Sequence, residues 1–252
     1  MSAVLLNVLI GLVTSILSGG GVWLLNRVKQ ARRLQRKAVF FGLEGGAPCV
    51  VVMNDKASGP GSTAHDDVHA LVEIAMLGRE LGSPVDIRKA REFHESNGTR
   101  TEFCVGGPEG GSNPRTGGHL AAHLPGVTLT PFTSDEDRLA FVVDGETFRC
   151  ARGQQERALV AKFRPTPGSR PVFIICGHTS LANRAAVHFL KSHDNELAAS
   201  VESVEQFCLI IKVDAIPTYG FQAATLERDV TRAAFAPGES RRPEPHMQEP
   251  QT

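Results

Sequence analysis

Short unbroken apolar runs alternate along this chain with amphipathic stretches, and glycine, proline and serine separate them. The first apolar run, Val4 to Leu25 (VLLNVLIGLVTSILSGGGVWLL), is 22 residues without a charge. At ~1.5 Å per residue such a helix crosses a ~30 Å hydrocarbon layer. Trp23 stands near its end, where an amphipathic ring favours the membrane interface. Ala38 to Pro48 reads as a connector containing Gly42, Gly45 and Gly46. Cys49 to Met53 (CVVVM) is then a continuous β-branched run suited to a strand buried on both faces, followed by the loop NDKASGPGST. From His65 to Leu81, Val68, Leu71, Val72 and Ala75 fall at i, i+3, i+4 and i+7, which predicts a helix that Gly82, Ser83 and Pro84 end.

The same grammar recurs. Thr101 to Val105 (TEFCV) leads into GGPEGGSNPRT, a short helix over Gly118 to Leu124, and a strand over Val127 to Phe132. Asp144-Gly145, between LAFVV and ETFRC, predicts a type I′ hairpin because both central residues need positive φ. RALVAKF (157–163) reads either as a third strand of that insertion or as part of a helix. Val172 to Cys176 (VFIIC) precedes GHTS and a helix over Leu181 to His193, with Ala182, Ala185, Ala186, Phe189 and Leu190 in one stripe and Thr179 or Ser180 as cap. Phe207 to Val213 (FCLIIKV) is a last strong strand. From residue 236 four prolines and little apolar surface predict disorder. The expected fold class is α/β: a Rossmann-like, mostly parallel sheet flanked by helices, with an antiparallel β-hairpin insertion near 139–163, preceded by one N-terminal transmembrane helix. The expected divisions are an anchor (1–25), a basic juxtamembrane segment and connector (26–48), the α/β domain (49–235) and a tail (236–252).

Charge sharpens this outline. The chain holds 27 Lys+Arg and 27 Asp+Glu, yet Arg27, Lys29, Arg32, Arg33, Arg36 and Lys37 precede every acidic residue. Taking these six away leaves 21 basic against 27 acidic residues, a net of −6 for the body, which argues against a nucleic-acid partner. The same basic run, placed after the apolar segment, predicts a single-pass protein with its N-terminus outside and its bulk in the cytoplasm. A cleaved signal peptide would want the opposite charge order and a small-residue cleavage site. The five cysteines show no C-x-x-C spacing and read as reduced thiols, mostly buried.

Candidate chemistry gathers in three loops at the carboxyl ends of predicted strands: after CVVVM, after TEFCV and after VFIIC. If those strands are parallel, the loops share the edge where open α/β sheets bind ligands. The expected ligand-binding residues are Asn54 and Asp55 from the first loop, Gly106, Gly107, Pro108, Ser112, Asn113 and Thr116 from the second, and Gly177, His178, Thr179 and Asn183 from the third. Glycine backbone (Gly110 and Gly111 included) and short hydroxyl or amide side chains suit an anionic, nucleotide-like ligand. The same residue types also serve as turns and caps. Neither a P-loop nor a G-x-G-x-x-G fingerprint occurs in a strand-to-helix context. His65 and His69 have the i, i+4 spacing of a metal pair. Asp66 follows the first histidine where a zincin has Glu, and no third ligand is marked, so first-turn carboxylates and the edge of the apolar stripe account for the segment and no metal or cofactor is expected.

Gly106, Gly107, Pro108, Ser112 and Asn113, with Gly177 to Thr179, give the region Cys49 to Val213 an order of glycine-rich loops that resembles Rossmann-like nucleotide-sensing or nucleotide-processing domains of the LOG/SLOG type. That resemblance implies a ligand-recognition role. The P-G-G-x-G-T-x-x-E signature of the LOG enzymes, with its catalytic Glu, is absent, so phosphoribohydrolase activity does not carry over. Three readings follow. One is a membrane-anchored domain that binds a nucleotide-like ligand and signals its occupancy through a protein partner or homo-oligomer. Another is an enzyme acting on a nucleotide or N-glycosidic bond in the same crevice, with Asn54, Asp55, His178 or Asn113 on the substrate. The third is a tethered protein-interaction module.

Overall fold

The computed structural model describes residues 3–55, 62–95, 98–108, 112–130 and 140–237, and the side chains of 3–6 and 9–20 lie outside that description. The chain begins with one helix, α1 (Ala3–Phe41), before the first strand of the main sheet, β1 (Cys49–Met53). There follow α2 (His65–Glu80), β2 (Val85–Lys89), β3 (Thr101–Val105), α3 (Pro114–His123) and a small sheet of β4 (Val127–Leu129), β5 (Phe141–Val143) and β6 (Glu146–Phe148). The second half holds β7 (Glu156–Phe163), β8 (Val172–Gly177), α4 (Ser180–Ser192), α5 (Asp194–Ser200), β9 (Phe207–Val213), α6 (Ile216–Tyr219), β10 (Ala224–Asp229) and α7 (Thr231–Phe235).

The main sheet has the order β10-β9-β7-β8-β3-β1-β2. β2, β1, β3 and β8 are parallel, β7 is antiparallel to both β8 and β9, and β10 is antiparallel to β9. The continuous apolar runs occupy interior positions, and alternate side chains feed two cores. On one face Val51, Phe103, Phe173 and Leu209 pack with α2 and α4, and on the other Leu159, Ile174, Cys176 and Ile210 pack with Leu120 and Leu124 of the α3 segment and the small sheet. Helices therefore cover both faces, as the α/β reading expects. RALVAKF is a strand, but it sits inside the main sheet rather than in the hairpin insertion, because nearly all of it is buried. The third strand of the small sheet is instead β4, paired with β5. Asp144 and Gly145 both have positive φ and join β5 to β6 as the hairpin rule requires.

The long helix is built into the domain. Gly42 (φ +66°) ends it in a Schellman turn: the Gly42 N–H donates to Val39 O and the Leu43 N–H to Ala38 O. Phe40, Phe41 and Leu43 are buried in the α2/α4 core, with Phe40 stacked on Phe207 at 5.5 Å. Lys162 Nζ donates to Val39 O (3.2 Å) and Phe40 O (2.9 Å) in the last turn of α1 and to Val204 O (2.6 Å) ahead of β9. Thr101 Oγ1 donates to Gly42 O, and Lys37 pairs with Glu80 at 2.9 Å. Thr101 and Phe207 begin their strands and Lys162 nears the end of an antiparallel one, so α1 enters at the amino edge of the parallel strands.

From Gly21 to Arg36 the helix is exposed apart from half-buried Leu34, and it carries Val22, Trp23, Leu24 and Leu25 outside the body. Among the described residues, no helix is long and apolar enough to cross a membrane. The expected transmembrane segment 4–25 lies within α1, with most of its side chains outside the described residues. Residues 56–61 and 109–111, Gly110 and Gly111 included, and the tail from 238 also lie outside them.

Candidate functional site

β1 lies between β2 and β3, with α2 on one face and Ala90 and Phe93 packed on the other, and the order of the sheet reverses between β1 and β3. A doubly wound sheet offers its ligand crevice at the carboxyl end of that junction. The three expected loops do leave this edge. The Asp55 N–H donates to Ser112 O at 3.1 Å, tying the first loop to the second. Gly106 has φ +98° and presses so closely on Asn54 that an added Cβ would lie 2.6 Å from the amide side chain, which makes this a position for glycine alone. A Cβ on Gly107 would stand 3.2 Å from Cys176 Sγ of β8. Asp67, on the first turn of α2, accepts from Asn183 Nδ2 at 2.8 Å and from the Asn54 amide. Burial raises its pKa against the pull of those two amides. Asn183 Oδ1 in turn accepts from the Gly177 N–H at 2.6 Å.

Several expected binding residues are occupied in holding the scaffold. Asn113 is fully buried and caps α3: its Oδ1 accepts from the Thr116 N–H and its Nδ2 donates to Val105 O. Thr116, also fully buried, donates to Gly106 O. Thr179 caps α4 and donates to Glu156. His178 accepts at Nδ1 from the Arg157 N–H and stacks on Phe141 at 4.8 Å, on the β7 side of the edge. Pro108 packs close to Gly117 of α3. The residues grouped at the β1/β3 junction are thus Asn54, Asp55, Gly106, Gly107 and Ser112. Two side-chain oxygens there, Asn54 Oδ1 and Asp55 Oδ1, are buried with no hydrogen-bond partner among the described residues. The other Asp55 oxygen pairs with Arg91 at 3.4 Å.

The sequence reading passed over a second polar cluster, buried beneath α3. Glu102 is 2% exposed in the middle of TEFCV. Its carboxylate accepts from Arg115 through Nε (2.7 Å) and an Nη (2.8 Å), from His119 Nε2 (3.0 Å) and from Cys104 Sγ (3.0 Å). Desolvation pushes its pKa up, but the Arg115, His119 and Cys104 hydrogen bonds prevail and hold it at about 2. Glu102, Cys104 and His119 have metal-binding donor types within 4.8 Å of one another. The fit to a cation is poor, since the Arg115 fork already engages both carboxylate oxygens and burial pushes the Cys104 thiol well up. The group is a charged rivet between α3 and β3. A carboxylate inside an apolar strand run was its one sequence signal.

The cysteines behave as buried thiols. Cys49, Cys104, Cys176 and Cys208 are buried and Cys150 is partly so. Burial pushes Cys49 up to about 11 and Cys176 up to about 12, far from a reactive thiolate. At the amino edge a separate open concavity of about 900 Å³ is lined by Asp144, Phe148, Glu202, Arg228 and Arg232, with Arg228 paired to Glu146 and Arg232 to Glu202. Comparison of the chain with known protein families, curated proteins and solved structures finds no match in any of the three.

Proposed function

We propose that this chain is a membrane-tethered, cytosol-facing receptor domain that takes a small nucleotide-like ligand at the β1/β3 junction and signals its occupancy. The observation that carries this reading is the pair of buried acceptors without a partner among the described residues, Asn54 Oδ1 and Asp55 Oδ1, at the switch point of the sheet. A buried acceptor without a donor costs about 1–3 kcal/mol, and a ligand carrying hydroxyl or amino donors removes that cost. Ribose and a nucleobase supply such donors. The acidity of Asp55 and Asp67 directs the anionic part of the ligand away from them, toward the glycine backbone of Gly106 and Gly107. The LOG/SLOG resemblance points the same way.

The tether rests on the uncharged run 4–25, the basic residues behind it and the exposed Val22, Trp23, Leu24 and Leu25 on a helix that leaves the body. Because α1 joins the amino edge, the crevice at the carboxyl edge opens away from the lipid. Of the four residues expected on a substrate, Asn113 is a cap and His178 is held by Arg157 and Phe141, while Asn54 and Asp55 stand at the junction as acceptors. This favours recognition over catalysis.

A thermal shift of the detergent-solubilised full chain against nucleosides and nucleotides tests the reading. A ligand at ~100 times its Kd adds about 2.7 kcal/mol. Asp55→Asn is expected to abolish that shift while changing the ligand-free midpoint little. An absent response to every nucleoside and nucleotide, or an equal response in the variant, contradicts it.

A further inference from the structure

His65 and His69 open α2 one turn apart, His65 exposed and His69 partly so. Their rings meet edge to face with centroids 4.5 Å apart, and the two Nε2 atoms stand 3.1 Å from each other. The outermost nitrogens of the two rings are thus brought within hydrogen-bond distance of each other. For the two nitrogens to share a hydrogen bond, one carries the proton and the other accepts. With Zn–N bonds of about 2.05 Å, two nitrogens 3.1 Å apart subtend about 100° at a metal, between a square and a tetrahedral angle.

We propose that His65 and His69 form a bidentate surface site for a divalent d-block cation such as Cu²⁺, Ni²⁺ or Zn²⁺. Both bonds are made by neutral imidazole, which such cations favour and Mg²⁺ does not. Asp66 is not available as a third ligand, since it pairs with Arg184 at 2.9 Å. The remaining positions therefore hold water, and the site is open and of modest affinity. Its structural consequence is local. α2 starts at Ala64 without a side-chain cap, and a metal joining residues i and i+4 clamps that first turn. The same turn presents Asp67 to Asn54 and Asn183, so occupancy stiffens one wall of the junction. The metal site itself does not depend on what the junction binds.

Isothermal titration of the full chain with Ni²⁺, Cu²⁺, Zn²⁺ and Mg²⁺, beside His65→Asn and His69→Asn, tests this. The wild type is expected to bind one Ni²⁺ or Zn²⁺ more than either variant, Cu²⁺ more tightly than both in the order set by ligand-field preference, and no Mg²⁺ at this site. Other histidines and Cys150 contribute equally to all three chains and cancel in the difference. Equal stoichiometry and affinity in wild type and His65→Asn overturns the proposal. Because His65 is exposed, that variant keeps the test valid even where His69→Asn destabilises α2.

Discussion

Two buried charges show how single residues set the stability of this protein. The Glu102 carboxylate accepts from Arg115, His119 and Cys104, and removing its charge leaves the Arg115 fork without its buried partner. Glu102→Gln is expected to cost about 3–5 kcal/mol in urea unfolding. Since its folded pKa of about 2 lies below the ordinary 4.5, its contribution is complete above about pH 4.5 and disappears as the pH falls toward 2, a loss of about 3 kcal/mol. Lys162 behaves in the opposite sense. Burial lowers it from 10.5 to about 8 against the pull of Glu205 and Glu44, so between those values the unfolded chain binds a proton the folded chain lacks. Raising the pH through that window increases the Lys162 contribution by up to about 3 kcal/mol while the buried thiols pull the other way, so urea titrations at pH 7.5 and 10 should show the wild type gaining stability relative to Lys162→Met. Such roles were barely legible in sequence. Asn113 looks like a ligand-binding amide in GGSNPRT, yet Asn followed by Pro is equally the signature of an N-cap and first helical residue, and here its oxygen caps α3 while its nitrogen donates to Val105 O of β3.

At the scale of elements, what the sequence revealed followed from burial. CVVVM, TEFCV, VFIIC and FCLIIKV are interior strands, and a strand buried on both faces announces itself as an apolar run. β2 and β10 escaped notice because they are the two edges of the sheet: VDIRK and ATLERD expose most of one side and carry the charges that keep edges from pairing with other chains. β7 was legible as a strand but not in its place, since nothing local in RALVAKF says which sheet it joins. The end of α1 hid within a glycine-bearing stretch that reads as a connector, although Gly42 is the terminator of a helix and Phe40 and Phe41 are its anchors in the core. Phe40→Ala is expected to cost about 3–5 kcal/mol. Limited proteolysis should then cut rapidly between Arg36 and Glu44, where the wild type resists.

For the whole molecule, the polarity of the sheet is the organising fact. α1 enters at the amino edge, locked by Lys162, Thr101 and the phenylalanines, while the loops after β1, β3 and β8 crowd the carboxyl edge. The end of α1 is fixed into the core, with Phe40, Phe41 and Leu43 packed among residues of α2 and α4. That convergence of loops was readable from strand order in the abstract, but which residues face inward was not, because caps and ligands draw on the same small polar side chains. The central claim, that a nucleotide-like molecule occupies the β1/β3 junction, is tested most directly by hydrogen exchange on the full chain with and without the compound giving the largest thermal shift. Slowed exchange is expected at residues 54–55, 106–107 and 112, with residues 143–148 and 228–233 unchanged. Protection confined to the amino-edge concavity around Asp144 and Arg228, or none at the junction, would contradict it.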